Sequence, residues 1–220
     1  MPSLVNETDA HSSTRSACWP PRGCVGGVGS PGPLVPERKE ALMSSLPIGD
    51  YALLSDCRSA ALVSRGGSVD WLCFPRFDAP SVFARLLDAE AGYFSVRPAG
   101  PFEVTRGYVD QTMAVATTFR TATGVAVLTD ALAVGRNDRG HELGAGSPGV
   151  LLRRVVCTEG TVELAVEYAP RLEYGRIHPI LTAVDGGLAA RGGADVLVLS
   201  TPVPLAVEGA TATARFSLAA

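Results

Sequence analysis

Residues 46–87, LPIGDYALLSDCRSAALVSRGGSVDWLCFPRFDAPSVFARLL, decide the fold. Tyr51-Ala52-Leu53-Leu54 is a short apolar run bounded by Gly49-Asp50 and Ser55-Asp56. Behind it, Ala60-Ala61-Leu62-Val63 and Val69-Asp70-Trp71-Leu72-Cys73-Phe74 flank Arg65-Gly66-Gly67-Ser68. Paired glycines between two apolar runs supply the positive φ that a tight hairpin turn needs. Alternation along the second run places Val69, Trp71 and Cys73 on one face, and Asp70, Leu72 and Phe74 on the other. Pro75 cannot donate to a sheet ladder, so the strand ends there. Pro75-Arg76-Phe77-Asp78-Ala79-Pro80 then reads as a loop held between two prolines. Ser81 reads as the cap of one short helix near 81–87, with Val82, Phe83, Leu86 and Leu87 at helical spacing.

Beyond Leu87 the chain reads as strand after strand. Tyr93-Phe94-Ser95-Val96 precedes a Pro-Ala-Gly-Pro turn, and 102–109 alternates between apolar and polar positions. The segments 113–121 and 125–134 form a hairpin around Thr121-Ala122-Thr123-Gly124, rich in the β-branched residues that strands favour. Residues 136–149 are polar and glycine-rich, a loop. The segments 150–157 and 162–168 flank Thr158-Glu159-Gly160-Thr161 as a second expected hairpin. Further strands are expected at 180–184, 188–190, 196–200 and 212–218, with Asp185-Gly186-Gly187 turning between the first two. Many short strands with glycine-containing turns and almost no helix indicate a mainly-β fold, an antiparallel β-sandwich.

The chain has 220 residues, enough for one domain or one domain with an extension. Hydrophobic residues make up 46%, ample for a core, and no apolar run reaches the roughly 18 residues of a membrane helix. A net charge of −3 argues against nucleic acid as a partner. Residues 1–42 show neither helical nor strand period and read as a disordered extension. They lack the basic start and apolar core of a secretory signal. Lys39, the chain's one lysine, followed by Glu40, is encodable as a ribosome-binding hexamer two codons before Met43. That predicts Met43 as the natural start and 1–42 as upstream sequence; a genuine disordered tail is the alternative. The five cysteines, at 18, 24, 57, 73 and 157, have no metal spacing and read as buried reduced thiols of a cytoplasmic protein. No cofactor or metal is expected.

The words IGDYALLSDCRSAALV and GSVDWLCFPRFDAPSVFARLLD, with the weaker APRLEYGRIHPI at 169–180, resemble the amino-terminal signature of bacterial glycoside hydrolase family 15. This is the glucoamylase and trehalase-like group. The resemblance runs from about residue 46 to the C-terminus. It implies that 46–220 is the family's amino-terminal β-sandwich domain, whose full-length form hydrolyses α-glucosidic bonds in trehalose or α-gluco-oligosaccharides. It also implies a catalytic (α/α)6 barrel as partner, following this domain and absent here, so the chain is expected to be a truncated fragment and inactive alone. Inversion needs two carboxyl groups about 6.5–9.5 Å apart. The resemblance places both on glutamates of the barrel, so no catalytic residue is expected in this chain.

The remaining candidates contact substrate or barrel. Arg76, Phe77 and Asp78 occupy the proline-pinned loop; a guanidinium and a carboxylate at fixed geometry either meet a sugar or the barrel, or pair with each other. Arg171 and Tyr174, near Glu173 and His178, form a second group in which a Tyr ring either stacks on sugar or packs. Trp71 is either core or platform. Asp70 is a tempting carboxylate, but the outward polar residue of a strand is the simpler account. The alternative class is a free-standing carbohydrate-binding or interaction module, for which two Trp and 6% aromatic content are thin.

Overall fold

The computed structural model describes residues 46–136 and 139–220; the expected extension 1–42, the start at Met43, Cys18 and Cys24 lie outside them. In chain order the strands are β1 (Tyr51–Ser55), β2 (Ala60–Ser64), β3 (Ser68–Cys73), β4 (Ser81–Phe83), β5 (Tyr93–Pro98), β6 (Glu103–Tyr108), β7 (Val115–Arg120), β8 (Gly124–Leu132) and β9 (Leu151–Ala169). One short helical turn, α1 (Leu172–Gly175), precedes β10 (Ile180–Val184), β11 (Gly187–Gly192), β12 (Asp195–Ser200), β13 (Ala206–Glu208) and β14 (Thr211–Ala219). The main sheet runs β1-β2-β3-β5-β9-β8-β7-β6, with β4 beside β3 and β14 beside β9, while β10, β11 and β12 form a small second sheet.

The mainly-β antiparallel architecture matches the sequence expectation. The main sheet curls so that its halves share one core: Leu54, Val63, Val69, Leu72 and Phe94 from one side meet Val115, Phe119 and Leu128 from the other. Side chains close the curl where no ladder does. Arg106 of β6 donates to the carbonyls of Asp50 and Val63 at 3.0 and 2.9 Å. The Tyr108 hydroxyl donates to the Leu53 carbonyl and accepts from its amide, both at 3.0 Å.

The β2–β3 hairpin forms where the paired glycines place it. Gly67 has φ +77, and a Cβ there would stand 2.4 Å from the Val96 carbonyl oxygen, so the turn tucks beneath β5 and only glycine fits. The strand ends before Pro75, as expected. Its faces do not alternate as the sequence predicts. The β2–β3 register shifts at Leu62/Val63, and this bulge sends both Val69 and Leu72 into the core.

Two further expectations are corrected. The segment near 81–87 is not a helix: Ser81–Phe83 pair with β3, and the chain then turns through Leu87, whose amide bonds the Ala84 carbonyl. A lone helix this short is marginal in water, and burying Val82 and Phe83 while Leu87 stays exposed satisfies the apolar residues better. Nor do Thr158–Thr161 reverse the chain. β9 runs unbroken for 19 residues, first beside β8, then between β5 and β14. Gly160, at φ +64, bends the strand where the β7–β8 turn nests against it; a Cβ there would lie 2.2 Å from the Thr123 carbonyl oxygen.

The two halves are tied by Arg153 of β9, which pairs with Asp130 of β8 at 2.8 Å with both side chains buried. Asp130→Ala would leave that guanidinium buried without its counter-ion. We expect a loss of about 3–5 kcal/mol of unfolding free energy, read as a lower urea midpoint with an unchanged slope.

Candidate functional site

The signature block assembles one end of the sandwich from three loops. Asp56 is buried and its Oδ1 accepts from the amides of Arg58 and Ser59 at 2.9 and 2.7 Å, an Asx-type turn that fixes the β1–β2 connection. The Ser59 hydroxyl donates to the Cys73 carbonyl, tying this turn to the end of β3. The Phe77 amide donates to the Arg58 carbonyl at 2.9 Å, which lays the proline-pinned loop against the same turn. The segment expected as a free polar loop supports the turn from the other side. Ser147 Oγ donates to the Asp56 carbonyl at 3.0 Å, and Gly144 lies so close that a Cβ would stand 2.5 Å from that oxygen. Cys57, Arg58, Arg76, Phe77 and Asp78 line an open hollow of about 460 Å³. Asp56 Oδ2 is buried and has no hydrogen-bond partner among the described residues.

Within the loop, Arg76 and Asp78 pair with each other through two bonds of 2.9 and 3.0 Å. Both side chains are exposed, so the pair shapes the loop and adds little stability. Phe77 is 59% exposed, unusual for a residue held in a defined loop. Cys57 is exposed and at φ 65, contrary to the expectation of a buried thiol; Cys73 and Cys157 are buried. The Asx-type turn forces Cys57 outward.

The second group divides. Arg171 is buried and donates to the carbonyls of Pro170 and Ala210 and to Thr211 Oγ1, so it braces the start of β14. Tyr174 is 45% exposed, in a tight loop pinched by mutual bonds between Leu172 and Ile177. Glu173 and Tyr174 both lie in the left-handed region, so α1 is helical in name more than in geometry. The Tyr174 ring meets half-buried Trp71 at 6.3 Å between centroids. Thus Trp71 and Tyr174 are brought together, Arg76, Phe77 and Asp78 form the separate loop end, and Arg171 joins neither. Neighbouring Arg171 and Tyr174 part because the left-handed pair turns the chain over.

With this geometry in place, the comparisons decide the family. The profile described as trehalase-like, N-terminal, matches residues 37–217. The chain belongs to this family. It is 36% identical over 190 residues to a trehalase of Mycolicibacterium smegmatis, covering 78% of this chain and 28% of that protein. Identity is also 36% over 187 residues to a trehalase of Mycobacterium tuberculosis, covering 77% and 28%. Trehalase 1 of Sulfolobus acidocaldarius matches at 36% over 131 residues, covering 59% and 20%. The chain therefore spans under a third of the length of these relatives. No solved structure matches it significantly. No helix among the described residues is long and apolar enough to cross a membrane.

Asp70, in the family's signature block, is where sequence reasoning fell furthest short. It is only 4% exposed, although its strand position points away from the core. Tyr51 Oη donates to its Oδ2 at 3.2 Å and Ser68 Oγ to its Oδ1 at 2.5 Å. Burial holds the Asp70 carboxyl above its ordinary pKa, against the opposing pull of the Ser68 bond and the Arg85 charge. Burial, then the Asp70 charge and hydrogen bond, push the Tyr51 phenol up to about 12. No local pattern announces this network, because it joins β1 to β3 across the sheet.

A raised carboxyl pKa means that the folded chain binds this proton more tightly than the unfolded one. The Asp70 contribution to stability is therefore fully present below the unfolded value near pH 4 and is lost as pH rises through the higher folded value. Urea unfolding across this range, compared between the parent and Asp70→Asn, should show the parent losing stability relative to the variant as pH rises. Parallel curves would mean that Asp70 titrates normally.

Proposed function

We propose that this chain is the amino-terminal, non-catalytic domain of a family 15 glycoside hydrolase of trehalase type. In its full-length form the protein hydrolyses an α-glucosidic bond with inversion, and this domain is the scaffold on which the catalytic (α/α)6 barrel packs. The observation that carries this reading is the match of residues 37–217 to the trehalase-like N-terminal family. The shared length, about 28% of two mycobacterial trehalases, leaves most of such a protein to a further domain. Trehalose is favoured over maltodextrin because the relatives above are all trehalases.

The surface supports a docking role for the signature block. Phe77 and Leu87 are 59% and 60% exposed at the loops following β3 and β4. Large apolar side chains left in water favour a protein partner over solvent. In this reading Arg76, Phe77 and Asp78 contact the barrel, and Trp71 with Tyr174 forms a second contact for barrel or substrate. Arg171 acts as an internal brace.

Two outcomes follow. The purified chain should release no glucose from trehalose, maltose or starch, measured by a coupled glucose assay. Turnover that vanished in Asp70→Asn or Asp78→Asn would refute the non-catalytic reading. Mixed with the separately produced catalytic portion of a related trehalase, the chain should bind it in sedimentation experiments. Phe77→Ala should weaken that association by about tenfold or more, the effect of removing an interface anchor, whereas Glu163→Ala on the exposed side of β9 should not.

A further inference from the structure

Away from the signature loops, the outer face of the half-sheet holding β3, β5 and the second half of β9 carries an unusual row. Ser68, Ser95 and Glu167 are register partners across these three strands. A sandwich meets water on this side, yet Ser68, Ser95 and adjacent Asp70 are all buried. They line a hollow of about 530 Å³ whose remaining wall includes Tyr51, Arg85 and Arg97. That volume lies within the range of small-molecule sites, roughly 300–1,000 Å³.

Several polar groups of this wall are unspent. A carboxylate offers about four acceptor positions. Asp70 uses two, for Tyr51 and Ser68, and forms no ion pair among the described residues. The Arg85 guanidinium lies over the Tyr93 ring at 3.7 Å and makes no hydrogen bond or ion pair among the described residues. Tyr93 in turn donates to Glu167 Oε2 at 2.8 Å, which fixes that carboxylate. Arg97 stands 4.0 Å from Glu167 Oε1, an ion pair without a hydrogen bond. The site thus presents two carboxylates and two guanidinium groups, whose formal charges cancel.

Charge balance selects the ligand. An anion gains Arg85 or Arg97 but meets Asp70 and Glu167, and a cation meets the reverse conflict. A neutral molecule carrying adjacent hydroxyls suffers neither. Its hydroxyls donate to the carboxylates and accept from the guanidinium groups, both charge-assisted bonds. We propose that this hollow binds a neutral polyhydroxylated small molecule, a polyol or a sugar, held by Asp70, Glu167, Arg85 and Arg97. The site binds and does not cleave, and it needs no second domain.

The test is an amide chemical-shift titration of the full chain with trehalose, D-glucose and sorbitol as probes, and with acetate and phosphate as ionic controls. Saturable shifts at Ser68, Asp70, Ser95 and Glu167 are expected with at least one neutral probe and with neither ion. Arg85→Ala should weaken binding by about tenfold or more, the loss expected for a charge-assisted hydrogen bond, while Arg76→Ala leaves it unchanged. Asp70→Asn should also weaken binding; if it fails to fold, Arg97→Ala replaces it. Shifts confined to Trp71 and Tyr174, a response to acetate or phosphate alone, or no saturable shift with any probe would each overturn the proposal. None of these results depends on whether the chain docks on a barrel.

Discussion

The union of the two halves of the curled sheet depends on the buried pair of Arg153 and Asp130. Asp130 and Arg153 are register partners on β8 and β9, and the contact is bidentate, at 2.8 and 3.2 Å. Burying two charges is expensive unless every remaining donor is met. Here the surplus donors reach across the core to the Phe94 carbonyl at 2.5 Å and the Gly67 carbonyl at 2.7 Å. The guanidinium also lies 4.8 Å from the centre of the Phe94 ring. One side chain therefore joins β8, β9, β5 and the β2–β3 turn. That is why Gly67 must be glycine: the turn has to approach closely enough for its carbonyl to meet Arg153 while Val96 and Phe119 crowd the same spot.

Local chemistry made much of the sheet legible. The Gly66-Gly67 hairpin, the stop before Pro75 and the hairpin around Thr121–Gly124 follow from turn residues and alternation, and they stand where those signals put them. What failed is what a neighbour decides. Gly160 reads as a turn in isolation and is a bend in one long strand because Thr123 and Gly124 press against it. Val82 and Phe83 have helical spacing with Leu86 and Leu87, but β3 offers them a ladder and a core.

The site was legible to the same extent. The choice between a free fork and a mutual pair at Arg76 and Asp78 resolves to the mutual pair, since residues two apart in a tight loop meet more readily than either meets a distant group. Phe77 keeps its exposed place between them. Arg171 and Tyr174 looked like one group because they are close in sequence, and two left-handed residues separate their roles. Asp70 and Arg85 come from the signature stretch and Glu167 from β9, far along the chain. The pairing of β3 with β5, and of β5 with β9, brings Glu167 to Asp70, while Arg85 is held there by β4 beside β3 and by the Leu86 amide bond to the Asp70 carbonyl.

The composition carries a further consequence. Of nineteen basic residues, Lys39 alone is lysine, and three of the buried or half-buried arginines share one task. Arg106 serves the carbonyls of Asp50 and Val63, Arg153 those of Phe94 and Gly67, and Arg171 those of Pro170 and Ala210. A sheet that bulges, bends and closes without a final ladder leaves carbonyl oxygens turned away from strand partners. A planar guanidinium with five donors meets two or three of them at once and stays charged when buried; an ammonium on a flexible stem does neither as well. Arg85 has the same fork but spends it on a ring face. It lines a polar hollow with its donors open, whereas Arg106, Arg153 and Arg171 commit theirs to backbone carbonyls. Among the internal staples of this fold, that uncommitted fork marks the difference between a side chain that holds the sheet together and one placed to hold something else.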